Sequence, residues 1–553
     1  MEAPRPIARP REFFLISLAG LALAVILTWP LASNLGGLGR TLDVDADGQF
    51  AIWNVAWVAR TIVADPLRLF DANIFHPHKT TLAYSEANVL AGVVGAPAWW
   101  LTGNPWLTMN VAMLFAFASA FVCAYLLLRY LTDDPRAAAI GAVLYAFCPY
   151  VFSHLSHIQL LMAGGLPLSM LMLHRVADAP TLRRGVGLGL ALAGQALACA
   201  YYGIFAGLMV GYGTLVFAAT RRVWKSVAYW KAIAAGAVTS IAVVIPFFIP
   251  FLRVQAESGF LRTVEDTARY SARAHGYLVS SANAHRWLLD AVRRFGPWEE
   301  VLFPGILAVV LGIAGLVIAS RRRGRDRETA LLYGTLALLA FWASFGPAAG
   351  LYRVLYHLPT FSFLRAPSRL GLVVVLCLAV FAAIAVRRLL DALPSWRAAT
   401  AVAAVAGLAA VAELTIYPLR WYRAPVVPAA YAVLATQPRG PLAAFPFYGE
   451  RVAFPLHAQY MLFSTMHWMP MMNGYSDVIP RDFRDAAFVL DSFPSNDAFA
   501  VLARRRVRYI AIHWDMFGRR QEEIRTRIAT YEQNLRVLAG DERMTLYEVI
   551  RYP

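Results

Sequence analysis

The sequence predicts an all-α polytopic membrane domain followed by a small C-terminal α/β domain. Of its 553 residues, 59% are hydrophobic and 15% are charged, whereas about a quarter of the residues of an ordinary soluble protein are charged. The hydrophobic residues come in long uninterrupted runs, and the composition becomes that of a soluble protein after residue 417. These observations exclude collagen, coiled-coil and disordered classes, and they place the first part of the chain in a bilayer.

Eleven apolar runs are long enough to cross, or nearly cross, about 30 Å of hydrocarbon. A twelfth segment, Val89 to Leu101, is short and interrupted by Gly and Pro, so its length alone leaves it between a span and a half-buried segment. The first run is long enough to span and lacks a convincing cleavage site, so we expect a retained helix. The eleven runs lie near residues 13–33, 106–128, 137–153, 157–174, 186–202, 203–219, 232–252, 301–319, 329–346, 368–386 and 398–417.

The basic residues predict the orientation. The formal net charge is +17, from 51 Lys and Arg against 34 Asp and Glu, and much of it sits in short clusters between apolar runs. If Val89 to Leu101 does not cross, all these clusters fall on one side, which the positive-inside rule makes cytoplasmic together with the N-terminus. A nucleic-acid-binding protein would instead concentrate the charge on one soluble face, so we expect no nucleic-acid partner.

This scheme predicts two domains. Residues 1–417 form the membrane domain, with large external loops at 34–105 and 253–300 and a shorter one at 347–367, and residues 418–553 form a soluble extracytoplasmic α/β domain. That domain shows no phosphate-binding glycine loop, metal-ligand spacing or nucleophile elbow. Its strand-like runs are Leu442 to Phe447, Val507 to His513 and Thr545 to Arg551, and its helix-like stretches lie near 482–492, 496–505 and 518–538.

Three aspartates, Asp43, Asp45 and Asp47, follow the first span. In an extended stretch their alternate spacing would aim them at one face, giving a divalent-cation site or one carboxylate made more basic by its neighbours. In a turn before a helix, one of them would be the N-cap. The residues leave both interpretations open.

Other polar residues lie on the same predicted side. Glu86 leads into apolar sequence, where an ionised carboxylate needs a partner. His76 and His78 would need further ligands to bind a metal, so we expect ordinary loop histidines there. His154 and His157 lie at the outer junction between the third and fourth spans, the side that also holds the aspartates.

Arginine is abundant in the predicted external loops. The excess in loop 253–300 indicates a phosphate-bearing or anionic-lipid ligand, or an amphipathic helix resting on anionic headgroups. Arg365 and Arg369 lie at the mouth of the tenth span. Such arginines either snorkel or bind a phosphate with two hydrogen bonds, and we favour the second interpretation.

The architecture and several local motifs resemble the GT-C superfamily of integral-membrane glycosyltransferases, in particular a set of bacterial members. In that superfamily an acidic residue of the first external loop is the catalytic base or a metal ligand, and the donor is a polyprenyl-phosphate-linked sugar. The resemblance implies these roles for Asp45 and Asp47, with Mg2+ or Mn2+ as the cation if there is one. The chain lacks the WWDYG motif of oligosaccharyltransferases, so glycosylation of protein sequons is not expected. The similar motifs are Asp47-Gly-Gln-Phe-Ala-Ile-Trp-Asn-Val-Ala-Trp, Asn73-Ile-Phe-His-Pro, Leu82-Ala-Tyr-Ser-Glu, Phe361 to Arg369 and His467-Trp-Met-Pro-Met-Met-Asn-Gly-Tyr-Ser.

The resemblance implies a glycosyltransferase of the bacterial inner membrane. It would move a sugar from a polyprenyl-phosphate-linked donor to an extracytoplasmic glycan, lipid or protein, and we expect its carboxylates to share a cavity with its arginines. The alternative is a non-catalytic transporter or assembly factor for lipid-linked sugars or cell-envelope glycans. An ion or proton carrier is disfavoured because ionisable residues are scarce within the spans. The expected catalytic residues are Asp47, Asp45 and Glu86, and the expected substrate-binding residues are Trp53, Trp57, His76, His154, His157, Arg365 and Arg369.

Overall fold

The structure, a computed structural model, describes residues 9–40, 45–259, 263–298, 300–358 and 364–553. It divides into two compact units. The helical unit comprises Met1–Ala32, Met113–Phe248 and Leu261–Leu419, and the mixed unit comprises Ser33–Ala112, Ile249–Phe260 and Arg420–Pro553. The mixed unit therefore combines the first predicted external loop with the C-terminal segment, while the domain boundary after residue 417 stays a prediction.

Helices account for most of the chain. Through residue 258 they are α1 Pro10–Leu27, α2 Ala46–Ala64, α3 Val89–Thr102, α4 Pro105–Thr132, α5 Pro135–Ala146, α6 Pro149–Ser153, α7 Ile158–Leu161, α8 Gly165–Asp178, α9 Leu182–Ala198, α10 Ala200–Thr220 and α11 Val227–Ser258. The following ones are α12 Val264–Arg269, α13 Arg286–Val292, α14 Ile306–Ser320, α15 Arg325–Ser344, α16 Leu351–Tyr356, α17 Gly371–Asp391, α18 Trp396–Leu414, α19 Ala430–Ala435, α20 His457–Phe463, α21 Arg481–Leu490, α22 Asn496–Arg504 and α23 Gln521–Ala529. The strands are β1 Leu38–Gly39, β2 Tyr422–Arg423, β3 Leu442–Phe445, β4 Tyr509–His513, β5 Leu535–Gly540 and β6 Met544–Val549.

All eleven predicted apolar runs contain helix. Among the described residues, eight helical segments are long and apolar enough to cross a membrane. The protein is therefore an integral membrane protein. Helices α9, α14 and α15 fall short of the same length or hydropathy, so the number of eleven spans stays a prediction.

The ambiguous segment after residue 88 is the short helix α3. Its 14 residues rise about 21 Å, which is less than the hydrocarbon thickness of about 30 Å. It packs closely on α2, since a Cβ on Gly92 would lie 2.3 Å from Cγ1 of Val58. This geometry fits a half-buried segment better than a span.

Ion pairs of the helical unit connect helix ends that the charge pattern assigns to the cytoplasm. Glu12, in the first turn of α1, pairs with Arg129 near the end of α4 at 3.0 Å. Arg221 pairs with Asp178 and with Glu328, each at 2.7 Å. The start of α1 thus lies beside the end of α4, while the number and direction of the spans stay predictions.

The core of the helical unit is built around α17, which is buried along most of its length. Helix α14 crosses it at small residues. A Cβ on Gly315 would lie 1.8 Å from the carbonyl oxygen of Phe381, so only glycine allows this approach. Such contacts between small residues are typical of helix packing in membranes.

The C-terminal part of the mixed unit contains a four-stranded sheet with the order β3-β4-β6-β5. Strands β3 and β4 are parallel and the other pairs are antiparallel. Helices α21 and α22 lie where the pattern predicts them. The helix predicted near 518–538 is wrong beyond Ala529, because residues from Leu535 onward form β5 and pair with β6. A polar, half-exposed edge strand has the same composition as the solvated face of a helix, so the pattern did not separate them.

Candidate active site

Helix α2 begins at the aspartate cluster. The carboxylate of Asp45 is the N-cap and accepts a hydrogen bond from the backbone N–H of Gly48 at 2.9 Å. Asp47 lies in the first turn of the helix and is exposed. The N-cap interpretation is therefore confirmed for Asp45, and the extended stretch is wrong for residues 45–47. Asp43 lies outside the described residues.

A segment of the tail, residues 471–478, lies against the first predicted external loop. We call it the tail strap. The backbone N–H of Met471 donates to the carbonyl of Asn73 at 2.8 Å, and the N–H of His76 donates to the carbonyl of Met471 at 2.7 Å. Further along, the N–H of Val478 donates to the carbonyl of Tyr84 at 3.0 Å. The tail strap thus pairs directly with the two loop motifs that begin at residues 73 and 82.

The tail strap also reaches the start of α2. The hydroxyl of Tyr475 donates to Oδ1 of Asp47 at 3.0 Å, and its ring packs edge-on against Phe50. The hydroxyl of Ser85 donates to Oδ2 of Asp477 at 2.9 Å. All the sequence motifs of this unit that resemble GT-C proteins therefore meet at one place.

Glu86 is held by its backbone in the same region. Its carbonyl oxygen accepts hydrogen bonds from the amide groups of Asn54 and Asn88, at 3.0 and 3.5 Å. The amide oxygens of both asparagines are buried and have no hydrogen-bond partner among the described residues. The half-buried Glu86 side chain is thus next to a region with buried polar atoms.

The indole groups of Trp53 and Trp57 form hydrogen bonds with other residues of the chain. Both side chains are buried. The N–H of Trp53 donates to Oδ1 of Asn73 at 3.1 Å, and the N–H of Trp57 donates to the carbonyl of Leu69 at 2.8 Å. Their observed contacts hold α2 to the loop that follows it, and a substrate contact stays a prediction.

The loop histidines contact the tail. Nε2 of His76 lies 3.2 Å from the backbone oxygen of Arg505, and Nε2 of His78 lies 2.9 Å from Oδ1 of Asp482. Burial lowers the pKa of His76, and the Arg505 charge lowers it further. Substrate binding by His76 stays a prediction.

In the helical unit, His154 forms a buried pair with Glu300. Nε2 of His154 lies 3.3 Å from Oε2 of Glu300, whose other oxygen accepts from the Ser368 hydroxyl at 3.2 Å. Burial alone would raise the pKa of Glu300, but the His154 contact and the Arg369 charge hold it below its ordinary value. The His157 ring lies 6.1 Å from that of His154.

Both predicted phosphate-binding arginines lie over tyrosine rings. The guanidinium of Arg365 is 4.0 Å from the ring centre of Tyr270, and that of Arg369 is 4.4 Å from the ring centre of Tyr201. The Nε atom of Arg369 is buried without a hydrogen-bond partner among the described residues. Residues 361–363, the start of this motif, lie outside the described residues.

Glu300 is one of the residues that line a cavity of the helical unit. Two arginines of the second long loop and a tryptophan also line it, so it offers cations, an aromatic face and a carboxylate together. Its lining residues are Arg269, Ser271, Arg273, Gly276, Trp298, Glu300 and Leu302.

The described residues do not by themselves fit a divalent-cation site. No group of three or more His, Cys, Asp or Glu side chains that could hold a metal is found within the described ranges. Asp45 is already the N-cap of α2.

Tyr475, Asp477 and Glu300 were not singled out from the sequence. The two tail residues stand in or next to a motif that resembles GT-C proteins, but no pattern in the sequence pairs them with a loop some 400 residues away. Glu300 directly precedes an apolar run, which is the same signal that singled out Glu86.

No family model matches the chain, and no curated protein matches it. Solved structures do match. The apo oligosaccharyltransferase of Archaeoglobus fulgidus aligns with a TM-score of 0.50 and 14% identity, over 92% of this chain and 69% of the other. A second structure of that enzyme, with the same TM-score and identity, is a complex with Zn and sulfate.

Two further structures are similar. The mycobacterial arabinofuranosyltransferase AftD aligns with a TM-score of 0.53 and 16% identity, over 92% of this chain but 37% of its own length. ArnT of Cupriavidus metallidurans bound to undecaprenyl phosphate aligns at 0.48 and 14%, over 98% of both chains. With identities this low the likeness concerns the fold alone. This chain shares the GT-C fold with the Archaeoglobus fulgidus oligosaccharyltransferase and with AftD.

Proposed function

We propose that the protein is a glycosyltransferase that moves a sugar from a polyprenyl-phosphate-linked donor to an acceptor outside the bacterial inner membrane. The observation that supports this most directly is the setting of Asp47. Its exposed carboxylate stands on the first turn of α2 and is hydrogen-bonded by Tyr475, where the motif segments of the loop and the tail meet.

The proposed reaction is a single displacement with inversion. The acceptor oxygen attacks the anomeric carbon, and the bond from that carbon to the phosphate oxygen breaks. The lipid phosphate leaves with the bonding electrons. An acceptor hydroxyl is a weak nucleophile while protonated, so a carboxylate must take its proton as the new bond forms. We assign this role to Asp47.

The other two predicted catalytic residues have contacts that favour different roles. Asp45 caps α2 through its side chain, which also stabilises the helix that presents Asp47. Glu86 is half-buried, and its backbone is fixed by Asn54 and Asn88. We propose that Asp45 positions the base and that Glu86 contacts a sugar hydroxyl.

We assign the departing phosphate to Arg365 and Arg369. A guanidinium stacked on an aromatic ring can still donate in-plane N–H groups to an anion, and one such group of Arg365 donates to the Tyr270 hydroxyl. The buried, unpartnered Nε of Arg369 supports this role, because a buried donor is destabilising unless a ligand or water accepts from it. His154 and His157 are proposed to contact the same donor, whereas we assign Trp53, Trp57 and His76 to holding the loop.

The test compares lipid-linked sugars and surface glycans, by mass spectrometry, in cells with and without the gene and in cells that carry variants. We expect cells without the gene to accumulate the donor and to lack one glycan residue. Asp47→Asn should reproduce this phenotype, because an amide cannot accept the proton. Asp45→Asn is the matched control, since asparagine caps a helix about as well as aspartate, and it should retain transfer.

Two outcomes would contradict the proposal. If Asp47→Asn, Asp45→Asn and the double variant all leave the glycan unchanged, neither aspartate is the base. If the deletion changes the surface glycan while the donor is processed normally, the protein acts in transport or assembly instead.

A further inference from the structure

We infer that Tyr475 is a positioning residue for Asp47, so that the C-terminal tail takes part in the chemical step. This inference rests on the proposed function, because it requires Asp47 to be the base. The two residues are 428 positions apart in the chain, and the hydrogen bond between the Tyr475 hydroxyl and Oδ1 of Asp47 measures 3.0 Å.

The Tyr475 hydroxyl can orient the Asp47 carboxylate. Asp47 is exposed and lies in the first turn of a helix, where an aspartate side chain can occupy more than one rotamer. A general base works only when it stands within hydrogen-bond reach of the proton that it removes. A hydroxyl that donates to one oxygen of the carboxylate restricts the rotamers that the side chain can adopt, and so helps to aim the base.

Tyr475 is well placed for this because the tail strap is anchored to the sheet. The side chain of Asn473 makes two hydrogen bonds with the backbone of Ala444 in β3, accepting at 2.8 Å and donating at 2.9 Å. Ala444 and Asn473 are both fully buried. Next to them, a Cβ on Gly474 would lie 2.7 Å from the ring of Phe75, so only glycine lets the strap pass so close to the loop.

The side chain of Tyr475 is also held in place by a ring contact. The ring of Tyr475 packs edge-on against Phe50, one turn along α2 from Asp47, with ring centres 6.1 Å apart. The edge strand β3, the tail strap and the start of α2 thus form one continuous path of contacts. A group held in this way loses little further freedom when the substrate binds, which is the condition for efficient positioning.

The test measures sugar transfer by the purified full-length protein in lipid nanodiscs. The donor probe is the polyprenyl-linked sugar fraction extracted from cells that lack the gene, and the acceptor is the membrane fraction of the same cells. The amount of donor extract is varied, which gives a maximal rate and a half-saturating amount. Tyr475→Phe removes one oxygen atom and keeps the ring.

We expect Tyr475→Phe to lower the maximal rate about tenfold, the size of effect typical of one hydrogen bond to a charged group. The half-saturating amount of extract should stay the same, because the donor is still bound. Tyr531→Phe is the matched control. It removes a tail hydroxyl that donates to Asn496 at the same distance of 3.0 Å, and it should transfer at the wild-type rate.

A double-mutant cycle separates positioning from a general structural effect. In an Asp47→Glu background the carboxylate is displaced, so Tyr475→Phe should lower the rate there by no more than roughly twofold. An equal loss in both backgrounds, or a wild-type rate for Tyr475→Phe while Asp47→Asn is inactive, overturns this inference alone. Wild-type transfer by Asp47→Asn overturns the proposed function, and this inference with it.

Discussion

Gly48 controls where α2 begins and therefore where Asp47 lies. A Cβ at this position would be 1.9 Å from the carbonyl oxygen of Arg40, and the N–H of Gly48 is the one that Asp45 caps. No side chain can be accommodated there unless the helix start or the preceding chain moves. Because glycine has only a hydrogen atom where alanine has a methyl group, the chain can form the turn at the start of α2 in which Asp47, the proposed base, lies.

We predict that Gly48→Ala destabilises the protein by about 1–3 kcal/mol, the usual result of forcing a methyl group into a packed site. It should also lower transfer, because the helix start moves. The control is Gly211→Ala in α10, where a Cβ meets open space. Thermal unfolding in detergent and the transfer rate are the measurements, and equal behaviour of the two variants would contradict the steric argument.

At the scale of the secondary-structure elements, one carboxylate of β6, that of Glu548, contacts residues on both sides of the strand. Glu548 lies opposite Tyr509 of β4 and Arg536 of β5. It accepts from Arg508 at 3.0 Å and forms an ion pair with Arg536. The Arg536 hydrogen bond, together with Arg508, holds the pKa of Glu548 below its ordinary value. These two contacts connect β6 with Arg508, just before β4, and with β5.

We predict that Glu548→Gln lowers the unfolding temperature at pH 7. A carboxylate whose pKa is lowered by folding stabilises the protein fully above its unfolded pKa of about 4.3, and this stabilisation is lost as the pH falls through the lower folded pKa. The difference between wild type and variant should therefore be constant near neutral pH and shrink below about pH 4.3. Calorimetry across this range measures it, with the exposed Glu532→Gln as the control; a difference that grows in acid would be incompatible with the ion pairs.

At the scale of the whole molecule, the ion pairs between helix ends agree with the orientation that the positive-inside rule predicts. Arg221 bridges the ends of α8 and α15, and Glu12 connects the start of α1 with the end of α4. These ends belong to the clusters that the positive-inside rule assigns to the cytoplasm. The proposed extracytoplasmic reaction requires the tail to lie on the opposite side of the membrane.

We predict that Arg519→Cys in the tail reacts with a membrane-impermeant maleimide in intact cells and that Arg322→Cys reacts only after the cells are opened. Both positions are exposed in the structure. The background carries alanine at Cys123, Cys148, Cys199 and Cys377, the four native cysteines. Labelling of residue 322 in intact cells would reverse the orientation, and with it the compartment of the reaction.

Much of the membrane part could be predicted from the sequence, because long apolar runs have few alternatives to helix in a bilayer. The helices occupy the eleven predicted runs, and the likeness to GT-C proteins extends to the fold. The N-cap at Asp45 was one of two predicted interpretations, since both depend on local spacing. The strand β5 was missed because its polar pattern is shared with exposed helix.

The site itself depended on tertiary structure. Hydropathy and charge act over one turn of helix or one loop, so they determined the apolar helices, the expected orientation and the acidic segment after the first apolar run. The contact between Tyr475 and Asp47, the strap along residues 73–84 and the pair of His154 with Glu300 join segments far apart in the chain. Only the packing of the whole chain brings such groups within hydrogen-bond distance, because no local pattern encodes the partner of a residue hundreds of positions away.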